Sequence, residues 1–186
     1  MKLHNRVLKM VLSAFFLALA YVMPFLTGQI PEVGAKLCPL HIPVLLCGLV
    51  CGSLYGCLCG VIGPVLASVI TGMPGPAMLV SMVPELMAYG LVTGLMMKLV
   101  KTRNLYADLY VSLATAMVAG RIVGGIAKAL FFTGTGEAFT LAIWASSYFV
   151  ATLPGIVAHL IVIPLLVVTL MKARLIPNRY PKKVNA

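Results

Sequence analysis

An all-α fold that crosses the bilayer six times is predicted by three observations. The 186-residue chain is 61% apolar, with a mean hydropathy of +1.06, well beyond the balance of a soluble domain. Its apolar sequence falls into runs near the roughly 20 residues that one helical crossing needs. Eleven of its fourteen cations lie in three clusters, at 2–9, 98–103 and 172–183, and the runs between them carry almost no charge. Basic residues are held on the cytoplasmic side of a membrane, so the three clusters are expected to share one compartment with both chain ends. An even number of crossings follows.

The first helix is expected at 7–26, with Pro24 near its end. The basic start, the apolar stretch and Ala18-Leu19-Ala20 also resemble a signal peptide. A polytopic protein can use its first span for targeting, so an uncleaved helix is expected here. Residues 37–72 admit three readings. A single crossing gives five spans and puts the basic clusters on opposite faces. A hairpin with arms at 37–52 and 55–72 gives six, with every cluster on one side. A re-entrant loop keeps the same parity. Charge favours the hairpin, turning near Gly52-Ser53-Leu54-Tyr55-Gly56, although about 1.5 Å per residue leaves both arms short. Further spans are expected at 77–99, 109–132 and 141–171; the last is long and carries Pro154 and Pro164, so it is expected either to bend or to begin as an interfacial segment. No polar linker divides the chain, and one domain over 1–186 is expected.

Small residues recur at helical spacing. Gly48, Gly52, Gly56 and Gly60 fall every fourth residue, and Gly120 and Gly124 repeat the step. Such positions let helices approach closely, and ordinary packing accounts for most of them. Ala14 and Ala18 have the same spacing with fewer reasons for a small face, which makes them candidates for an interface with another protein.

Composition also excludes some functions. The net charge of +10 flanks hydrophobic spans and suits an anionic leaflet, so nucleic acid is not an expected partner. Cys38, Cys47, Cys51, Cys57 and Cys59 lack zinc-pair spacing and read as small packing residues. Neither a metal nor a cofactor is expected. The sequence contains no H-E-x-x-H, no G-x-S-x-G and no phosphate-binding loop ending in Lys-Ser or Lys-Thr. Energy for uphill transport would have to come from elsewhere.

Five polar residues sit where lipid should not tolerate them: Glu85, Arg121, Lys128 and His159 within spans, and His41 at the start of one. An intramembrane charge costs at least about 2.5 kcal/mol on insertion scales, so each needs a partner or a watery cavity. Two arrangements satisfy this. The charges line a ligand pocket, or a Glu85–Arg121 or Glu85–Lys128 pair locks two helices. Tyr89, Trp144 and Tyr148 can cover a ligand or simply mark a membrane interface.

Several segments together resemble the substrate-binding S components of energy-coupling factor (ECF) transporters. They are Gly28-Gln29-Ile30-Pro31, Leu40-His41-Ile42-Pro43-Val44-Leu45-Leu46-Cys47-Gly48, the glycine ladder, Thr71-Gly72-Met73-Pro74, Glu85-Leu86 with Tyr89-Gly90, Gly120-Arg121 and Pro154-Gly155-Ile156. The resemblance implies a six-helix protein of the bacterial cell membrane that captures a small water-soluble vitamin from outside and is not itself an enzyme. It implies a transmembrane coupling subunit and two cytoplasmic ATPases as partners, with Ala14 and Ala18 matching the family's Ala-xxx-Ala contact surface. The expected site comprises Gln29, His41, Glu85, Tyr89, Arg121, Lys128, Trp144 and Tyr148, with residues 27–40 as a lid. The segment around His41 is of the type seen in members assigned to pantothenate; a carboxylate-bearing vitamin suits Arg121 or Lys128. Other vitamins, cobalamin among them, stay open. Two rival readings also stand: an intramembrane enzyme using His41, Glu85 and His159, and an assembly subunit without a ligand.

Overall fold

Helix α1 (Arg6–Leu26) buries Ser13, Phe16, Ala20 and Pro24, positions three and four apart that form one stripe. A computed structural model describes residues 6–26, 30–135, 140–177 and 179–180, and among them there is no strand. After α1 come α2 (Pro31–Leu37), α3 (His41–Cys51), α4 (Ser53–Thr71), α5 (Pro76–Leu99) and α6 (Leu105–Thr135). Helix α7 (Leu141–Ala145) then runs through a π-helical turn at Ser146–Val150 towards α8 (Leu153–Lys172). Helices α1, α4, α5, α6 and α8 are each long and apolar enough to cross a membrane.

Helix α3 is different. Its 11 residues span about 16 Å, half of a hydrocarbon core. All but Ile42 are buried, because α1, α4, α5 and α8 surround it. It therefore serves as the centre of the bundle. The arm expected from residue 37 begins only at His41, because α2 occupies the residues before it and ends in a left-handed Cys38. A helix thus stands where the sequence predicts a loop. Pro31 at the start, Glu32 in the first turn and Lys36 in the last are the residues that favour it.

The glycines explain how α3, α4 and α5 meet. A Cβ on Gly56 would lie 2.7 Å from the Gly48 Cα and 2.5 Å from the Gly90 carbonyl oxygen. One on Gly60 would strike the Leu86 carbonyl, and one on Gly94 would strike the Ser53 backbone. Backbone thus touches backbone across three helices, which any side chain would prevent. Gly52 belongs to the same ladder but has another role. Nothing lies within 4 Å of its absent Cβ, and its φ of +104° is one that glycine tolerates. The turn is confined to it, since Ser53 already opens α4.

The expected last span at 141–171 is interrupted. Pro154 falls in the first turn of α8, where a missing N–H costs nothing, so it starts the helix instead of bending one.

Residues from all three basic clusters gather at one end of the bundle. Lys9, Lys98, Lys101 and Arg179 border a single cavity there. Beneath it, Asp108 is fully buried, pairs with Arg179, and accepts hydrogen bonds from the Tyr180 hydroxyl (2.7 Å) and the Thr102 amide (2.9 Å). Arg179 also donates to the carbonyls of Met97 (2.6 Å) and Val100, closing the C-terminal end of α5. This network ties the chain beyond α8 to the α5–α6 turn.

Candidate functional site

A cavity of about 830 Å³ occupies the opposite end. Its walls come from the end of α1, α2, the start of α3, the 72–75 turn and the first half of α5, the C-terminal half of α6, and the stretch joining α7 to α8. Of the expected residues, His41, Glu85, Arg121, Lys128 and Tyr148 border it. Tyr89 and Trp144 do not; each stands behind a residue that does. Gln29 lies outside the described residues, as do Glu137 and the first part of the expected lid.

Arg121 is the most constrained group. It is 3% exposed, and its Nε has no hydrogen-bond partner. One terminal nitrogen donates to Thr152 Oγ1 (2.7 Å), whose own hydroxyl donates to the Tyr148 carbonyl (2.6 Å). The guanidinium carbon sits 5.2 Å from the centre of the Phe149 ring. Trp144 supports it from behind, donating its indole N–H to the Arg121 carbonyl (3.2 Å). The indole fits because residue 125 is glycine; a Cβ there would overlap it. A buried guanidinium with an unmet N–H is costly unless something supplies an acceptor, and it borders an open cavity.

Glu85 faces Arg121 from α5. Its Oε1 accepts from the Tyr89 hydroxyl (2.9 Å), one turn along the same helix, and lies 3.7 Å from His41 Nε2. Gly124 clears the space: a Cβ on it would meet the carboxyl carbon at 3.1 Å. Gly120 does the same for the Tyr89 ring. Among the described residues, Glu85 forms no ion pair with Arg121 or Lys128. The helix-locking pair is therefore not made, although all three side chains border the same cavity. The Lys128 ammonium lies 5.8 Å from the centre of the Tyr148 ring.

His41, Glu85 and His159 do converge. The two imidazoles stack at 5.7 Å with 19° between their planes, and His41 leans on Tyr89 at 5.1 Å. His41 Nδ1 is buried without a partner. His159 does not border the cavity; its Nε2 is 3.1 Å from the Cys38 carbonyl. It thus fixes the end of α2, together with Gly155, where a Cβ would lie 2.6 Å from the Lys36 carbonyl oxygen. Helix α2 borders the cavity with Glu32, Gly34 and Lys36 and is clamped to α8. Burial pushes the thiol of Cys38, which caps α2, up to about 12.

Sequence reasoning missed Ser81, Ser147 and Thr152, which also border the cavity. A hydroxyl in a membrane helix is cheap because it bonds the carbonyl one turn back, as Thr152 and Ser147 both do (2.6 Å each). Such residues carry no signal of function until their neighbours are known.

Five helices long and apolar enough to cross a membrane, packed around a charged cavity at one end, make this a polytopic membrane protein with a candidate small-molecule site. The family model described as "ECF transporter, substrate-specific component" matches residues 8–171, and the chain belongs to that family. It is an integral, multi-pass substrate-specific subunit, for which a small-molecule substrate and the ECF module are the partners that membership implies. Neither curated proteins nor solved structures furnish a match.

Proposed function

We propose that the chain captures a small, carboxylate-bearing, water-soluble vitamin, with pantothenate as the leading candidate, and hands it inward through an ECF coupling subunit driven by two ATPases. The observation that supports this most is Arg121, a buried guanidinium with an unmet N–H bordering a cavity of about 830 Å³, a volume in the range of small-ligand sites. A carboxylate is the acceptor whose geometry matches a guanidinium. Glu85 and His41, on the facing wall, would take the hydroxyl and amide donors of pantothenate. Tyr89 and Trp144 hold Glu85 and Arg121 in position, and α2 closes the site. The basic end would face the cytoplasm of a bacterial cell, placing the cavity outside.

Ala14 and Ala18 are exposed on α1 and present a small-residue face to a coupling subunit. The protein itself would be non-catalytic. His159 is spent on the Cys38 carbonyl, so the enzyme reading lacks a second histidine facing the cavity.

Mass spectrometry of small molecules released from detergent-purified protein tests the reading, followed by calorimetric titration with the compound found and with pantothenate. A released vitamin acid that binds wild-type protein and not Arg121→Ala is expected. A neutral or cationic ligand, or equal affinity for both proteins, would refute the carboxylate assignment. Replacing Ala14 and Ala18 by Leu should abolish co-purification of the coupling subunit and leave ligand affinity unchanged.

A further inference from the structure

The basic end holds a second cavity, of about 860 Å³, that solute capture leaves unused. Its cations come from three separate stretches of chain: Lys9 on α1, Lys98 in the last turn of α5 with Lys101 just beyond it, and Arg179 beyond α8. Among the described residues, no carboxylate borders it. Arg179 is neutralised from beneath by Asp108, whereas the three lysines form no ion pair with any described residue. Like charges that converge without a counter-charge repel one another, and an anion bound among them relieves that repulsion. The rest of the wall mixes Ser53, Tyr55 and Tyr180 with the apolar Leu49, Leu54 and Met97. Leu54 leads outward: it and Leu58, one turn on, are exposed along α4.

We propose that this cavity binds the headgroup of an anionic phospholipid. The phosphate sits among Lys9, Lys98 and Lys101, and an acyl chain runs along Leu54 and Leu58 into the bilayer. A phosphate oxygen accepts charge-assisted hydrogen bonds from ammonium groups, and basic pockets between membrane helices suit such headgroups. Free phosphate shares the polar half of this chemistry and has no use for the apolar half. The inference does not depend on which solute fills the Arg121 cavity.

The test uses full-length protein in a neutral detergent, titrated with phosphatidylglycerol, phosphatidylcholine or inorganic phosphate, with bound molecules counted by native mass spectrometry. Wild-type protein should hold phosphatidylglycerol at least tenfold more tightly than phosphatidylcholine. The K9Q/K98Q/K101Q variant should lose most of that preference. Should the triple variant fail to fold, K98Q and K101Q, each at an exposed position, should separately weaken phosphatidylglycerol binding about threefold. Equal retention of the two lipids, or a preference untouched by the lysine variants, overturns the proposal. Displacement of the lipid by millimolar phosphate at matched affinity assigns a free anion and overturns it too. A triple variant that keeps phosphatidylglycerol and loses the co-purifying coupling subunit assigns the cavity to an acidic partner face and likewise overturns it.

Discussion

Two buried arginines, at opposite ends of one bundle, are treated in opposite ways. Arg179 meets the Asp108 carboxylate and the carbonyls of Met97 and Val100, so its charge and its donors are matched within the protein. Arg121 has one hydroxyl and an aromatic face, and its Nε has no partner. The nearest carboxylate on the facing helix, Glu85, is engaged by Tyr89 and His41 instead. A matched buried charge serves architecture. A mismatched one beside a cavity is what the proposed ligand site needs, since a buried N–H without an acceptor costs stability.

Removing each arginine in turn is the strongest way to break the contrast. Arg179→Ala leaves Asp108 buried and unpaired and should lower the unfolding free energy by about 3 kcal/mol, seen as a clear drop in melting temperature in detergent, with ligand affinity little changed. Arg121→Ala should do the reverse, weakening ligand binding by about 2–5 kcal/mol while stability holds or rises. Should Arg179→Ala abolish binding with no change in melting temperature, the division of roles is wrong. Arg121→Lys should recover little, since a point charge lacks the planar fork.

Smaller effects sharpen the picture. Gly56→Ala forces a Cβ onto the Gly48 and Gly90 backbones, where no side chain can yield, and should destabilise the bundle by about 1–3 kcal/mol. Gly155→Ala pushes on the Lys36 and Leu37 carbonyls and should loosen the lid. A raised Cys38 thiol stays protonated at neutral pH and labels slowly with maleimide. Gly155→Ala should therefore speed Cys38 labelling and ligand release several-fold, and identical rates would mean that α2 is held elsewhere. Thr152→Val removes one hydrogen bond from Arg121 and should weaken binding by about 1 kcal/mol, near fivefold.

Much of this was legible in the sequence, and the limits are physical. The spacing of cations foretold which ends of the helices meet, because Lys9, Lys98, Lys101 and Arg179 do border one cavity. The cost of charge in lipid singled out five residues, of which Glu85, His41, Arg121 and Lys128 reach the other cavity and His159 does not. Rotation about a helix axis was not legible. Tyr89 and Trp144 share helices or neighbours with lining residues, yet one turn or one glycine decides whether a ring faces a cavity or props up what does. Helix α2 escaped notice because seven residues are too few for a hydrophobic period to repeat. The prolines marked the last span as irregular, but the π-helical turn at Ser146–Val150 that separates α7 from α8 has no signature of its own in the sequence.

The shortness of α3 bears on how the protein is made. Eleven residues cannot leave the translocon as a stable span, and His41 at one end makes lipid a poor first solvent for them. Helix α3 must enter together with α4, as a pair closed at Gly52, and stay provisional until α5 is released and presses Gly90 against Gly56. Biogenesis of this bundle should accordingly be most vulnerable at a middle stage, after the fourth helix has emerged and before the fifth arrives.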